Sequence, residues 1–378
     1  MKIRYFDHAA TTPVREEVIK EMLPYFGVEY GNASTMYSLG RNAKKAMNKA
    51  RRQVAEALNG EIGEIYFTSC GSESDNLAIK GFAYANKEKG NHVITTKIEH
   101  HAVLDACKTL EKQGFEVTYL NVDANGKISL QELAQAIKEN TILISIMFAN
   151  NEIGTIEPIE EIGKITKQKH IVFHTDAVQA IGNAKIDVKK LNIDMLSLSG
   201  HKFYAPKGVG ALYVRKGIDF EKLQDGGEQE SNKRAGTENI AEIVGLGKAI
   251  ELIYHEFEEY NQKNKELRDY YFEQMQKRIP NIKINGDLQD RLSGNASVSF
   301  EGINGSELLF ELDKQGICAS AGSACSTANP TPSHVLTAIG LSSQLADSTL
   351  RISFGKSNTK EDVDFLVENI AKMINEKM

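Results

Sequence analysis

Short apolar runs alternate with helical patterns along the first two thirds of the chain, and this alternation limits the possible folds more than any other feature. The runs lie at 65–68, 92–96, 116–122, 142–148, 171–174, 195–199 and 211–214. Most are rich in Val, Ile, Leu and Phe, as strands buried on both faces of a sheet require. Helical stretches at 74–88, 102–113 and 130–138 fall between them. Strands separated by helices build a mainly parallel sheet wrapped by helices, an α/β fold. The runs predict seven strands.

After Asn239 the pattern changes. A helical stretch runs from 240 to 277, and Pro280 ends it. A strand-like run at 297–300, a helix at 307–315, a glycine-rich loop, a strand at 350–354 and a last helix at 360–375 follow. This reads as a smaller α+β domain. A chain of 378 residues is long for a single core. We expect a large domain over residues 12–255 and a small domain formed by 1–11 and 256–378, packed closely, since no low-complexity linker joins them.

Composition narrows the function classes. Charged residues make up 25% of the chain and the net charge is −6. That gives no electrostatic case for nucleic acid or an anionic membrane. No apolar run approaches the ~20 residues of a membrane helix. The N-terminus runs at once into Asp7 and His8, without the apolar stretch of a signal peptide. The expected location is the cytoplasm. The four cysteines, Cys70, Cys107, Cys318 and Cys325, form no C-x-x-C pair. Neither a structural disulfide nor a zinc site is expected. Cys107 lies in a helical pattern and reads as a small buried hydrophobe. Cys325 differs: Ala321-Gly322-Ser323-Ala324 precedes it and Ser326-Thr327-Ala328-Asn329-Pro330 follows. Small residues on both sides suit a loop that carries a reactive thiolate.

Four places sit just after predicted strands, where ligands bind in open α/β sheets. Lys202 closes Ser197-Leu198-Ser199-Gly200-His201-Lys202. A lysine there can form a Schiff base with an aldehyde cofactor, although lysines after strands are most often solvated surface residues. Lys207, in the turn Pro206-Lys207-Gly208, is its rival. Asp176 ends another apolar run. Its carboxylate suits a protonated ring nitrogen, or else it is a loop Asp. Gly71 and Ser72 open a helix after 65–68, which suits either a phosphate or plain capping. His100 follows 92–96 and can stack on a flat ring, or be structural.

These residues lie within a dense set of motifs. They are Tyr5-Phe6-Asp7-His8-Ala9-Ala10-Thr11-Thr12-Pro13, Glu73-Ser74-Asp75-Asn76, Asn150-Asn151-Glu152-Ile153-Gly154 and Asp176-Ala177-Val178-Gln179. After them come Ser199-Gly200-His201-Lys202, Arg234-Ala235-Gly236-Thr237-Glu238-Asn239, Gly322-Ser323-Ala324-Cys325 and Leu350-Arg351-Ile352-Ser353. In number and order they resemble the NifS/IscS family of cysteine desulfurases, pyridoxal-phosphate (PLP) enzymes of the aspartate-aminotransferase fold type I. The likeness spans essentially the whole chain. The span from Cys325 to Ser333-His334-Val335-Leu336 resembles the long-loop branch of that family. Tyr37 stands where the family usually has His.

The resemblance implies a role for each site residue. Lys202 would hold PLP covalently, Asp176 would pair with its ring nitrogen and His100 would stack on the ring. Asn151 and Gln179 would bond near the ring oxygen. Gly71, Ser72, Ser199 and His201 would bind the phosphate, with Thr237 given by the second subunit of a homodimer. Arg351, with Asn151, would bind the substrate carboxylate, a planar contact suited to guanidinium. Cys325 would attack the sulfur of L-cysteine and carry it as a persulfide to an acceptor protein, either an iron–sulfur scaffold or a tRNA-thiolation enzyme. No resident metal is implied, only transient ligation of an iron–sulfur cluster by Cys325. Two other readings stand beside this one. Another PLP enzyme, such as an aminotransferase or selenocysteine lyase, would not need Cys325 in the first case. A non-catalytic sulfur-trafficking scaffold would not need Lys202, Asp176, His100, Arg351 and Cys325 together.

Overall fold

The computed structural model describes residues 2–321 and 332–375. Cys325 therefore lies outside the described residues. Seven strands form one sheet, in the spatial order Ile65–Thr68, Gly210–Val214, Met195–Ser199, Val172–Asp176, Thr141–Ser145, His92–Thr96 and Glu116–Leu120. Only Gly210–Val214 is antiparallel to its neighbours; the other contacts are parallel. Val93, Ile94, Leu143, Ile144, Leu196 and Leu198 are fully buried, as the absence of an alternating polar face requires.

The observed strand at Thr141–Ser145 is shorter than the apolar run 142–148. Residues 146–148 continue alongside Val172–Asp176: Ile146 and Phe148 N–H donate to the His174 and Asp176 carbonyls at 3.1 and 2.8 Å and their side chains join the large core, while Met147 lines a cavity. The helical pattern at 74–88 also differs. It opens at Gly71 as an α-helix, passes through a π-turn at Leu77–Gly81 and ends at Phe82–Ala85.

The pattern at 240–277 is not one helix. Ile240–His255 and Phe257–Arg278 are separate helices, with Glu256 between them at φ −93°, ψ 11°. The two halves pack on different cores, which forces the axis to break. Ile243, Leu246 and Ile250 join the core of the large sheet. Gly247 lets this helix approach Ser38–Leu58 closely: a Cβ there would lie 2.6 Å from the Ala50 Cα. Leu267, Tyr271 and Met275 join a second core with Phe6, Leu312, Ile352 and Val363.

That second core covers a four-stranded antiparallel sheet made of Ser320–Ala321, Thr349–Ser353, Asn295–Ser299 and Lys283–Ile284. The N-terminal strand Arg4–Tyr5 pairs with Ile317–Cys318, and Ser353 N–H donates to the Phe6 carbonyl at 2.7 Å. Residues 4–9 thus pass between the second sheet and the first. Among the described residues no helix is long and apolar enough to cross a membrane.

Candidate active site

Five chain segments leave the large sheet at the same edge. They carry Gly71 and Ser72, His100, Asn151, Asp176, and Lys202. Arg351 reaches the same place from the second sheet. Together they line a cavity of about 420 Å³, with Gln179, Ser199 and His201 also on its wall. That size suits a small organic cofactor with its substrate. Of the site residues read from the sequence and described here, only Thr237 lies away from this wall. It is exposed, on a segment tied down by the ion pair of Arg234 with Glu73 at 2.8 Å. Tyr37 is also exposed and outside the cavity wall.

Beneath the cavity lies a buried polar row. His174 Nδ1 is 2.8 Å from Ser145 Oγ, and its Nε2 is 3.0 Å from Ser197 Oγ. Burial lowers the His174 pKa to about 3, so this ring is neutral. Asp176 ends the same strand, with Oδ1 accepting from Val178 N–H at 2.9 Å. Burial raises its pKa, while nearby His100, that N–H and Lys202 oppose the rise. A buried carboxylate of this kind calls for a cation in the cavity to hold it ionised.

His100 caps the helix His101–Lys112, its Nδ1 accepting from Ala102 N–H at 3.1 Å. Burial lowers its pKa. A neutral ring whose Nδ1 accepts must carry its proton on Nε2. Lys202 Nζ donates to the carbonyls of Ala9 and Ala10 at 2.7 and 2.8 Å. The Gln179 amide donates to the same Ala9 carbonyl at 2.9 Å. His201 Nδ1 lies 3.1 Å from Thr11 Oγ1, and burial beside Lys202 and Lys207 lowers its pKa to about 4.

Gly71 opens its helix where the first N–H groups lack helical partners. A Cβ at Gly71 would lie 2.6 Å from Val178 Cγ2, and Val178 lines the cavity. The absent side chain keeps this corner open beside Ser199. An anion-binding corner, a lysine and a buried carboxylate on one wall form the donor set that PLP needs for its phosphate, aldehyde and ring nitrogen. The residues present fit the group.

Arg351 is 2% exposed and pairs with Asp7 Oδ1 at 2.8 Å, while its Nη1 donates to the Asn151 carbonyl at 3.2 Å. Among the described residues its Nε is buried without a partner. Asp7 had no assigned role in the sequence, and neither did Glu152, which also lines the cavity. Both lie inside quoted motifs, but their partners sit 344 and 181 residues away. Only the folded chain identifies them.

Comparison with known proteins agrees with this geometry. The family model "Aminotransferase class-V" matches residues 4–366. The chain is 55% identical to cysteine desulfurase IscS of Clostridium botulinum over 375 residues, which are 99% of this chain and 94% of the relative. Among solved structures it is similar to a NifS-like protein at 38% identity and TM-score 0.93, covering 99% of this chain and 100% of that one. It is also similar to a structure described as SspA in complex with cysteine, at 42% identity and TM-score 0.84, covering 94% and 100% of the two chains. A match from residue 4 to 366, with a full-length relative at this identity, places the chain in the class-V aminotransferase family, among its NifS/IscS-like cysteine desulfurases.

Proposed function

We propose that this chain takes sulfur from L-cysteine, releases L-alanine and leaves a persulfide on Cys325 for transfer to an acceptor protein. The observation that supports this most is the meeting of Lys202, Asp176, His100 and Arg351 on one cavity wall, contributed by two different sheets. PLP, when bound, supplies an electron sink for charge developing on the substrate. Lys202 holds it, and its amine then moves the substrate's α-proton. Asp176 would pair with the protonated ring nitrogen, which would offset the cost of burying its carboxylate. His100, fixed by its cap bond, would lie against the ring face. Gly71, Ser72, Ser199 and His201 would hold the phosphate, and Asn151 and Gln179 would sit at the ring oxygen.

Arg351 binds the substrate carboxylate with the guanidinium edge that Asp7 leaves open, and the carbonyl of Asn151 helps to orient it. The Cys325 thiolate forms a bond to the substrate sulfur as the carbon–sulfur bond breaks. The three-carbon fragment takes up protons to become alanine. The persulfide then passes to an iron–sulfur scaffold or a tRNA-thiolation enzyme in the cytoplasm. Purified protein given L-cysteine and a thiol reductant is expected to release alanine and sulfide in equal amounts. Sulfide without alanine, or pyruvate in its place, would rule this reaction out.

Thr237 completes the phosphate site of a second copy in a homodimer. One feature supports a partner surface. Leu23, Phe26, Val28, Tyr30 and Met36 form an apolar series, with Val28 71% and Met36 90% exposed, as docking surfaces do. Light scattering is expected to give twice the chain mass, with an interface above about 2,000 Å². An active monomer at assay concentration would exclude this arrangement.

A further inference from the structure

The helix His334–Ala338 is where the chain re-enters the described fold after the segment bearing Cys325. Two polar bonds fix its first turn to the cavity wall. Ser333 Oγ donates to Glu152 Oε2 at 2.5 Å, and the His334 ring meets the Glu99 carbonyl through Nε2 at 2.9 Å. Val335, Leu336 and Ile339 pack below on Ile98, Met147 and Ile153. The Ser333 hydroxyl has little freedom. Its oxygen already accepts from Val335 N–H at 3.1 Å and Leu336 N–H at 3.2 Å. Its one proton is left for Glu152, so Glu152 must accept at that oxygen. Glu152 is itself fixed, its N–H donating to Asn150 Oδ1 at 2.8 Å.

We propose that Glu152 is a positioning residue for sulfur transfer, its carboxyl clamping Ser333 and with it the helical turn that follows the Cys325 segment against the cavity wall beside Arg351. This rests on the reading of Cys325 as the residue that takes the sulfur. Glu152 acts through Ser333 and is not assigned a contact with the reacting atoms.

The carboxyl also titrates in the working range. Burial pushes the Glu152 pKa up to about 7, against Ser333 and Arg351, which favour the ionised form. Beside the clamp stand Asp7, paired with Arg351, and Glu99 and His334, joined to each other through the Glu99 carbonyl; Cys70, Asp75, His100, His101, Asp176, His201 and Lys202 line the same cavity. Burial raises the Glu99 pKa and lowers that of His334. An ionised acceptor makes the stronger bond. The clamp therefore tightens as pH rises through that value and slackens below it.

The test uses the PLP-loaded enzyme and L-cysteine, with three readouts: cofactor absorbance, its change on adding L-cysteine, and rapid-quench mass spectrometry of the persulfide. Glu152→Ala and Ser333→Ala are each expected to keep the first two within about twofold and to slow persulfide formation about tenfold or more. The double variant should be no slower than the slower single variant, since both remove one bond. Ser333→Thr, which keeps the hydroxyl, should regain most of the rate. Glu152→Gln keeps an acceptor but not the charge, so the ratio of wild-type to variant rate should grow as pH rises from about 6 to 8. Rates within twofold of wild type in Ser333→Ala and Glu152→Gln at every pH would overturn the proposal, as would losses that multiply in the double variant. If the alanine variants fail to fold, Ser333→Thr and Glu152→Gln decide alone. A wild-type persulfide mapped to another residue sinks the Cys325 reading and this proposal together. A persulfide on Cys325 at unchanged rate in the variants sinks only the clamp.

Discussion

Cys325→Ser is expected to keep PLP and its response to L-cysteine, yet to lose persulfide formation and slow alanine release on the order of 10³-fold or more. A hydroxyl is a far weaker nucleophile than a thiolate at neutral pH. The cofactor contacts come from other residues, so the chromophore should not change. The other cysteines are poor rivals for reasons visible in the fold. Cys107 is fully buried on the inner face of the helix His101–Lys112, and burial pushes its thiol far up. Cys318 sits in a short strand, and burial, with Asp313 and Asp7 nearby, raises its thiol. Both therefore resist forming the thiolate that must react. Cys70 is the one to watch, because it lines the cavity beside Gly71. Single-turnover alanine assays with mass spectrometry of the trapped persulfide separate these cases. Full activity in Cys325→Ser, or a persulfide on Cys70 or Cys318, would end the assignment.

The parts of this site that the sequence discloses are those that local rules control. Lys202, Asp176 and His100 each follow an apolar strand, and strands buried on both faces announce themselves in one dimension. A parallel sheet then brings their ends to one edge. Gly71 was legible in the same way, as a glycine between a strand and a helix, although the π-turn at Leu77–Gly81 was not. What stayed hidden depends on pairs far apart in the chain. Asp7 meets Arg351 only once the second sheet closes on the first, and Glu152 meets Ser333 only once the helix His334–Ala338 packs on Ile98, Met147 and Ile153. The break at Glu256 was hidden for a related reason. Both helices have acceptable local patterns, and only the divergence of two cores separates them. The apolar run 142–148 is longer than its strand because Ile146 and Phe148 still bond to the neighbouring strand and fill the core, while Met147 walls the cavity.

Lys202→Ala is expected to abolish the Schiff-base absorbance and to reduce alanine formation on the order of 10³-fold or more, since one residue both holds the cofactor and moves the proton. The lysine is placed for this. Its Nζ is drawn toward the carbonyls of Ala9 and Ala10, next to the carboxylate of Asp176 on the same wall. Lys207 is not so placed: it is exposed, in a turn whose Gly208 has φ +83°. Loss of the Lys202 cation has a second effect. It is one of the groups that oppose the burial-driven rise of the Asp176 pKa. Without it Asp176 binds a proton more readily and holds a ring nitrogen less firmly, so Lys202→Ala should also retain PLP more weakly through gel filtration. Borohydride reduction of the wild-type protein, followed by peptide mapping, should place the pyridoxyl group on the peptide containing Lys202, and the same treatment of Lys202→Ala should leave none attached. A labelled Lys207, in either protein, would show that the strand exit does not supply the Schiff-base lysine.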